Sequence, residues 1–173
     1  MELTTDQKGS VAEAAIALAA LELGVGVFRA ISDGERYDVI FDVGGRLWRV
    51  QCKWAPRHGD VIVVRCYSCR RNREGLLRRP YSKGDFDAFA AYCPELRQCY
   101  FLPFDVVGRR VQIHLRLGPS RNNQSAGVNW ADDFDFAATL RRLGAVAQLG
   151  ERQRGTLEAT GSSPVGSMTK AAR

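Results

Sequence analysis

No apolar run in the 173 residues approaches the length of a membrane span, and the N-terminus has no basic segment followed by a signal-type core. The expectation is a soluble, cytoplasmic protein that makes no use of a membrane. Cysteine is scarce and unpaired: five residues, at 52, 66, 69, 93 and 99, an odd number that does not fit a secreted disulfide scaffold. Cys66 and Cys69 have the spacing of half a zinc site. Five residues separate Cys93 from Cys99, however, and no histidine stands at ligand spacing to complete a tetrahedral set. There are only two histidines, His58 and His114, both isolated, so histidine-based catalysis is not expected. No internal repeat is present.

What is there fits one globular domain. A chain of this length with 45% hydrophobic residues buries a core without metal or disulfide staples. The formal charge of +6 favours a polyanionic partner.

Thr5 to Leu23 is rich in Ala and Leu, and Gly24 follows where a helix C-cap belongs, so a buried first helix is expected. Val25 to Ala30 and Tyr37 to Val43 are short β-branched or aromatic runs. Gly44 and Gly45 signal a two-residue hairpin turn into a further strand, Arg46 to Trp54. Asp60 to Cys66 gives a fourth strand, and the arginine-rich stretch after it lacks apolar period and reads as a loop. Gly84 to Tyr92 has helical composition, with Asp85 and Asp87 in its first turn, Phe86, Phe89 and Tyr92 as a stripe, and Pro94 to end it. Gln98 to Phe104 and Arg110 to Leu117 add two strands. The order is α-β-β-β-β-α-β-β, a mixed central sheet flanked by helices, with a last short helix over Asp132 to Leu143.

The end of the chain reads differently. Val146 to Arg152 (VAQLGER) and Gly161 to Pro164 (GSSP) back-translate to sequences resembling the D-arm and T-arm of a transfer-RNA gene, at the separation of one intact tRNA. This segment is set aside from fold reasoning. The division is a folded domain over 1–144 and a disordered tail over 145–173.

Strand alternation puts Leu47, Arg49, Gln51 and Lys53 on one face of the third strand, with Trp48, Val50, Cys52 and Trp54 on the core face. A single solvated face explains that pattern without chemistry. Across the glycine turn, Asp38 is a carboxylate within an otherwise apolar run and needs a partner. A divalent metal is one possibility; a cross-strand ion pair with a lysine is another. Glu13 projects from the apolar stripe containing Ile16 and Ala17, unless it is a first-turn acid favoured by the helix dipole.

Glu13, then Asp38, then Gln51-Cys52-Lys53, on helix, strand, hairpin and strand, resembles the PD-(D/E)xK endonucleases. The closer likeness is to the branch typified by group I intron homing endonucleases, in which glutamine replaces the usual acid to give QxK. Tyr37-Asp38 stands for the PD element. The likeness continues through Arg70-Arg71, Arg79-Pro80-Tyr81, the segment from Phe86 to Pro94 and that from Cys99 to Pro103, covering roughly residues 5 to 117. It implies a restriction-endonuclease-like α/β fold and hydrolysis of DNA phosphodiesters. Asp38, the Cys52 main-chain carbonyl and Glu13 or Gln51 would hold Mg2+, with Mn2+ as substitute, and Lys53 would orient or deprotonate the attacking water.

Between Arg65 and Arg79 six arginines face a single acid, Glu74, for a local balance of +5. Arg70, Arg71, Arg73, Arg78 and Arg79 are the expected contacts to double-stranded DNA; a solvated loop is the bland alternative. Cutting both strands needs two sites, which implies a homo-oligomer, a dimer or tetramer. A Holliday-junction or repair nuclease with the same core is a rival reading, and a DNA-binding module that does not cleave, prompted by Gln51, is another. An RNA-processing nuclease has no single-strand stacking signature to support it.

Overall fold

Thr4 opens the first helix with a reciprocal capping box: its hydroxyl accepts the Gln7 main-chain N–H at 3.2 Å, and the Gln7 side chain accepts the Thr4 N–H at 2.9 Å. Helix α1 (Thr5–Glu22) closes on Gly24, whose φ of +74° lets Val25 N–H reach the Ala20 carbonyl and Gly24 N–H the Leu21 carbonyl. That is a Schellman closure, and it turns the chain into the sheet. The computed structural model describes the main chain of residues 2–31, 34–73, 75–119 and 126–159, with side chains left aside at 70–72, 76 and 148–159. The T-arm-like segment at Gly161 to Pro164 lies outside the described residues.

The strands in chain order are β1 (Gly26–Phe28), β2 (Val39–Val43), β3 (Arg46–Trp54), β4 (Arg57–His58), β5 (Val61–Arg65), β6 (Tyr67–Asn72), β7 (Gly75–Pro80), β8 (Ala88–Cys93), β9 (Gln98–Pro103), β10 (Gln112–Arg116) and β11 (Asn129–Trp130). A one-turn helix α2 (Phe104–Val107) follows β9, and helix α3 (Phe136–Ala159) follows β11 and a 3-10 turn. The main sheet runs β1-β2-β3-β8-β9, antiparallel except for the parallel pair β3–β8. A second sheet runs β11-β10-β5-β4, and β6–β7 is a separate two-stranded ribbon. The fold is thus a mixed α/β sheet flanked by helices.

The main sheet lies between two cores. On one face Ile16 and Ala20 of α1 and Phe136 and Leu140 of α3 pack with Phe41, Trp48, Val50 and Phe101. On the other, Phe89, Tyr100 and Leu102 meet Ile62, Val64, Ile113 and Leu115 of the second sheet. Each fully buried Phe or Leu in these layers contributes roughly 1.5–3 kcal/mol. No described helix is long and apolar enough to cross a membrane.

Four expectations need correction. The segment Gly84 to Tyr92 is not a helix: after a turn at Gly84 to Asp87 it becomes β8, an interior strand between β3 and β9. Alanine suits a helix in isolation, but here Ala88 and Ala90 face the helical core while Phe89, Ala91 and Cys93 face the other. A strand buried on both faces shows no polar alternation, so its period was hidden. The aromatic stripe dissolves with the helix: Phe86 and Phe89 meet edge to face at 4.6 Å, whereas Tyr92 packs on Trp54.

The arginine-rich loop is the β6–β7 ribbon, in register from Tyr67 opposite Pro80 to Asn72 opposite Gly75. A ribbon outside both sheets has no core face to impose an apolar period. Helix α1 is buried only along Ala12, Ile16 and Ala20, spaced four apart, while Val11, Leu18 and Leu21 are exposed. The last helix is not short: its main chain continues past Gly144 to Ala159. Gly144 is a packing position, where the helix backbone closes on the Gly44 turn.

Candidate active site

The Gly44–Gly45 turn, with φ of +61° and +81°, folds β2 back on β3 as the dipeptide demands. Asp38 stands one residue before β2, and its main-chain N–H donates to the Val50 carbonyl at 2.9 Å, which pins it against β3. Its Oδ2 accepts the Cys52 main-chain N–H at 2.6 Å and the side-chain amide of Gln51. Gln51 is 9% exposed, a polar side chain taken almost fully from water. It is satisfied at both ends, because Tyr81 Oη donates to its Oε1 at 3.0 Å. Lys53 Nζ in turn donates to Tyr81 Oη at 2.8 Å and to the Tyr67 carbonyl at 3.3 Å.

The direction of this chain is fixed by chemistry. An ionised carboxylate only accepts, so Gln51 must present Nε2 to Asp38 and Oε1 to Tyr81. The Tyr81 hydroxyl must then donate to Gln51, which leaves its lone pairs for Lys53, a donor only. Among the described residues Lys53 forms no ion pair, so the cross-strand Asp38–Lys53 bridge is replaced by hydrogen bonds to Tyr81 and Tyr67.

Burial pushes the Asp38 carboxyl above its ordinary range, and the negative field of Glu13 adds to the push; the Cys52 N–H, the Lys53 charge and the Gln51 amide oppose it. Burial lowers the Lys53 ammonium, and the Asp38 charge pulls it back up. The Cys52 thiol, buried in the helical core, is pushed well up and plays no part as a nucleophile.

Glu13 arrives from α1 in the third turn, beyond the reach of the helix dipole, so a first-turn role is excluded. Its carboxylate pairs with Arg29, which follows β1 and is 61% exposed. The structure therefore brings Glu13, Asp38, Gln51, Cys52 and Lys53 to one end of β3. Sequence reasoning missed Tyr81 and Arg29 as members. Tyr81 comes from the segment after β7, where the Arg79-Pro80-Tyr81 likeness marked the position but gave it no role; Arg29 lay in a run read only for its strand character.

A second ionic layer holds the strand before the site. The Asp87 carboxylate takes the main-chain N–H of Arg49 at 2.9 Å and its guanidinium at 3.2 Å. Burial pushes the Asp87 carboxyl up, but the Arg49 hydrogen bonds outweigh it and hold the group low. Arg36 binds Asp85 at 3.0 Å, donates to the Pro80 carbonyl at 3.1 Å and lies 4.5 Å over the Tyr81 ring. Asp85 and Asp87 are thus partners of arginines rather than first-turn acids.

Of the expected DNA contacts, Arg73, Arg78 and Arg79 are exposed along or at the tip of the ribbon, with Arg78 over the Tyr67 ring at 5.2 Å. Arg70 and Arg71 lie on β6, across from Leu77 and Leu76. Arg70 and Arg71 are described in main chain only. No group of three or more His, Cys, Asp or Glu side chains gathers among the described residues.

The sequence profile of a family described as PD-(D/E)XK endonuclease matches residues 3–137. The structure of a bacterial homing endonuclease, I-Ssp6803I, superposes with a TM-score of 0.65 at 29% identity, covering 88% of this chain and 99% of that one. The comparison with curated proteins finds no significant match. The resemblance drawn from Asp38 and Gln51-Cys52-Lys53 is borne out at the level of family and fold.

Proposed function

This chain belongs to the PD-(D/E)XK endonuclease family, and on that premise we propose that it cleaves double-stranded DNA with Mg2+ at Asp38, Gln51 and Lys53, in the manner of a homing endonuclease. The observation that carries the reading is the hydrogen-bonded chain Asp38–Gln51–Tyr81–Lys53 at the end of β3.

The donor set fits a hard divalent cation. Both bonds to Asp38 end on Oδ2, and the described residues give Oδ1 none. A second carboxylate, Glu13, lies close enough to oppose the Asp38 charge, and its arginine partner is mostly solvated and free to leave. A buried acid facing a second carboxylate is the arrangement that a cation relieves. Asp38, Glu13 and the Cys52 carbonyl would hold it, with Gln51 standing where a further acid is usual. The ion's charge would stabilise the phosphorane-like transition state.

Hydrolysis forms a bond from water oxygen to phosphorus and breaks the bond from phosphorus to the leaving sugar oxygen, while the water gives up a proton to the protein and the sugar oxygen takes one from solvent. Lys53, desolvated and steered by Tyr81, orients the water and in its amine form takes that proton. The exposed arginines of the β6–β7 ribbon supply phosphate contacts. One active site per strand favours a homo-oligomer on duplex DNA, and the likeness to a homing endonuclease supports a homing role.

The test is cleavage of duplex DNA with Mg2+ or Mn2+ and with EDTA. Wild type should cut with either metal and stop in EDTA, and Asp38→Ala and Lys53→Ala should each abolish cutting. Binding without product under every metal condition would reject the nuclease reading in favour of a non-cleaving DNA-binding module.

A further inference from the structure

Tyr81 links Gln51 to Lys53 in the chain just described, yet it lies outside the Asp-Gln-x-Lys motif. Its hydroxyl contacts Lys53 Nζ at 2.8 Å and Gln51 Oε1 at 3.0 Å, the two side chains whose aim matters most to the reaction. The side chain is itself fixed: it is 6% exposed, its ring meets Phe86 at 4.8 Å and Phe89 at 5.5 Å edge to face, and Arg36 covers it at 4.5 Å. A ring clamped on three sides leaves the hydroxyl almost no freedom, and a fixed hydroxyl fixes what binds it.

We propose that Tyr81 is a positioning residue for phosphodiester hydrolysis, its hydroxyl setting Lys53 Nζ and the Gln51 amide in their working orientations from the foot of the arginine ribbon. The inference rests on the reading of Lys53 and Gln51 given above.

Lys53 has four rotatable bonds and no carboxylate partner among the described residues, so without Tyr81 only the Tyr67 carbonyl, at 3.3 Å, would restrain it. Gln51, deprived of a donor to Oε1, would be a nearly buried amide with an unmet acceptor, held only through its Nε2 bond to Asp38. Tyr67 and Pro80, paired at the base of the ribbon, place Tyr81 one residue beyond β7. The element that presents arginines to DNA is thereby continuous with the residue that aims the lysine.

The experiment is Tyr81→Phe in the full chain, assayed on duplex DNA in single turnover, with binding measured in the absence of divalent metal. Phe keeps the ring and its packing and removes only the hydroxyl. The cleavage rate should fall on the order of tenfold to a hundredfold, with DNA affinity within twofold of wild type. A second readout is the side-chain amide signal of Gln51 in protein carrying 15N at glutamine side chains, which should move in Tyr81→Phe. Phe104→Leu, which loosens the same aromatic cluster without touching the hydroxyl, is the control for lost packing. Cleavage by Tyr81→Phe within twofold of wild type, or an equal rate loss in Phe104→Leu, overturns the proposal while leaving the nuclease reading intact. Undiminished cutting by Lys53→Ala would instead remove the reading on which the proposal stands.

Discussion

The side-chain amide of Gln51 donates to the same Asp38 oxygen that accepts the Cys52 main-chain N–H at 2.6 Å. Position 51 therefore uses the one property an acid lacks, an N–H. Glutamine at this place is matched to Asp38 on one side and to Tyr81 on the other, rather than being a gap in an acidic set.

A glutamate at 51 would set two carboxylates within hydrogen-bond distance, and one of them would have to keep a proton or find a cation. Gln51→Glu is expected to lower Tm in metal-free buffer, by about 1–3 kcal/mol of stability, and to gain more from added Mg2+ than wild type does. Thermal unfolding across a Mg2+ titration measures both. An equal Mg2+ response in the two proteins would place the ion elsewhere.

Asp38 carries a raised carboxyl pKa, first through burial and then through Glu13. A folded value above the unfolded one means that the group's stability contribution is complete below the unfolded pKa of about 3.9 and is lost as pH rises through the folded value. Asp38→Asn keeps an oxygen for Cys52 and Gln51 but carries no charge. In metal-free buffer it should match wild type at low pH, exceed it in Tm near neutrality, and fail to cut DNA. A wild type that is the more stable at neutral pH would contradict that sign.

The ribbon arginines should act through charge. Arg78→Ala and Arg79→Ala are each expected to weaken binding similarly across DNA sequences and to reduce the slope of log affinity against log salt by about 1. Fluorescence anisotropy over a salt series is the measurement. An unchanged slope would return these residues to the role of a solvated ribbon.

Gly44, in the site's hairpin, lies hard against α3. At φ +61°, an added Cβ would stand 2.9 Å from the Gly144 carbonyl oxygen and 3.1 Å from the Ala147 side chain. Gly44→Ala should cost at least ~2 kcal/mol through strain and clash. Chemical denaturation reads it, and a loss under 1 kcal/mol, roughly what an open glycine turn gives, would separate the turn from α3.

Much of this architecture was legible because local signals agreed. Thr5 to Leu23 declared a helix with its glycine stop, Gly44-Gly45 declared a hairpin, and Arg46 to Trp54 matches β3 residue for residue. The alternation within β3 separated Gln51 and Lys53 from the core face, and Asp38 stood out as an acid in an apolar run. The failures came where a segment's neighbours decide its form. Ala88 to Cys93 is helical by composition and becomes a strand because β3 and β9 supply hydrogen-bond partners on both edges. The arginine stretch becomes a ribbon because its two halves pair with each other.

The sequence by itself determined the motif order, the face on which Gln51 and Lys53 lie, and the positive charge close after them, since strand period and composition are local properties. Only the tertiary structure decided that Lys53 answers to Tyr81, 28 positions away, rather than to Asp38, and that Glu13 shares its charge with Arg29. Partner choice depends on which side chains converge when the ribbon folds over the end of β3, and no spacing along the chain encodes that meeting.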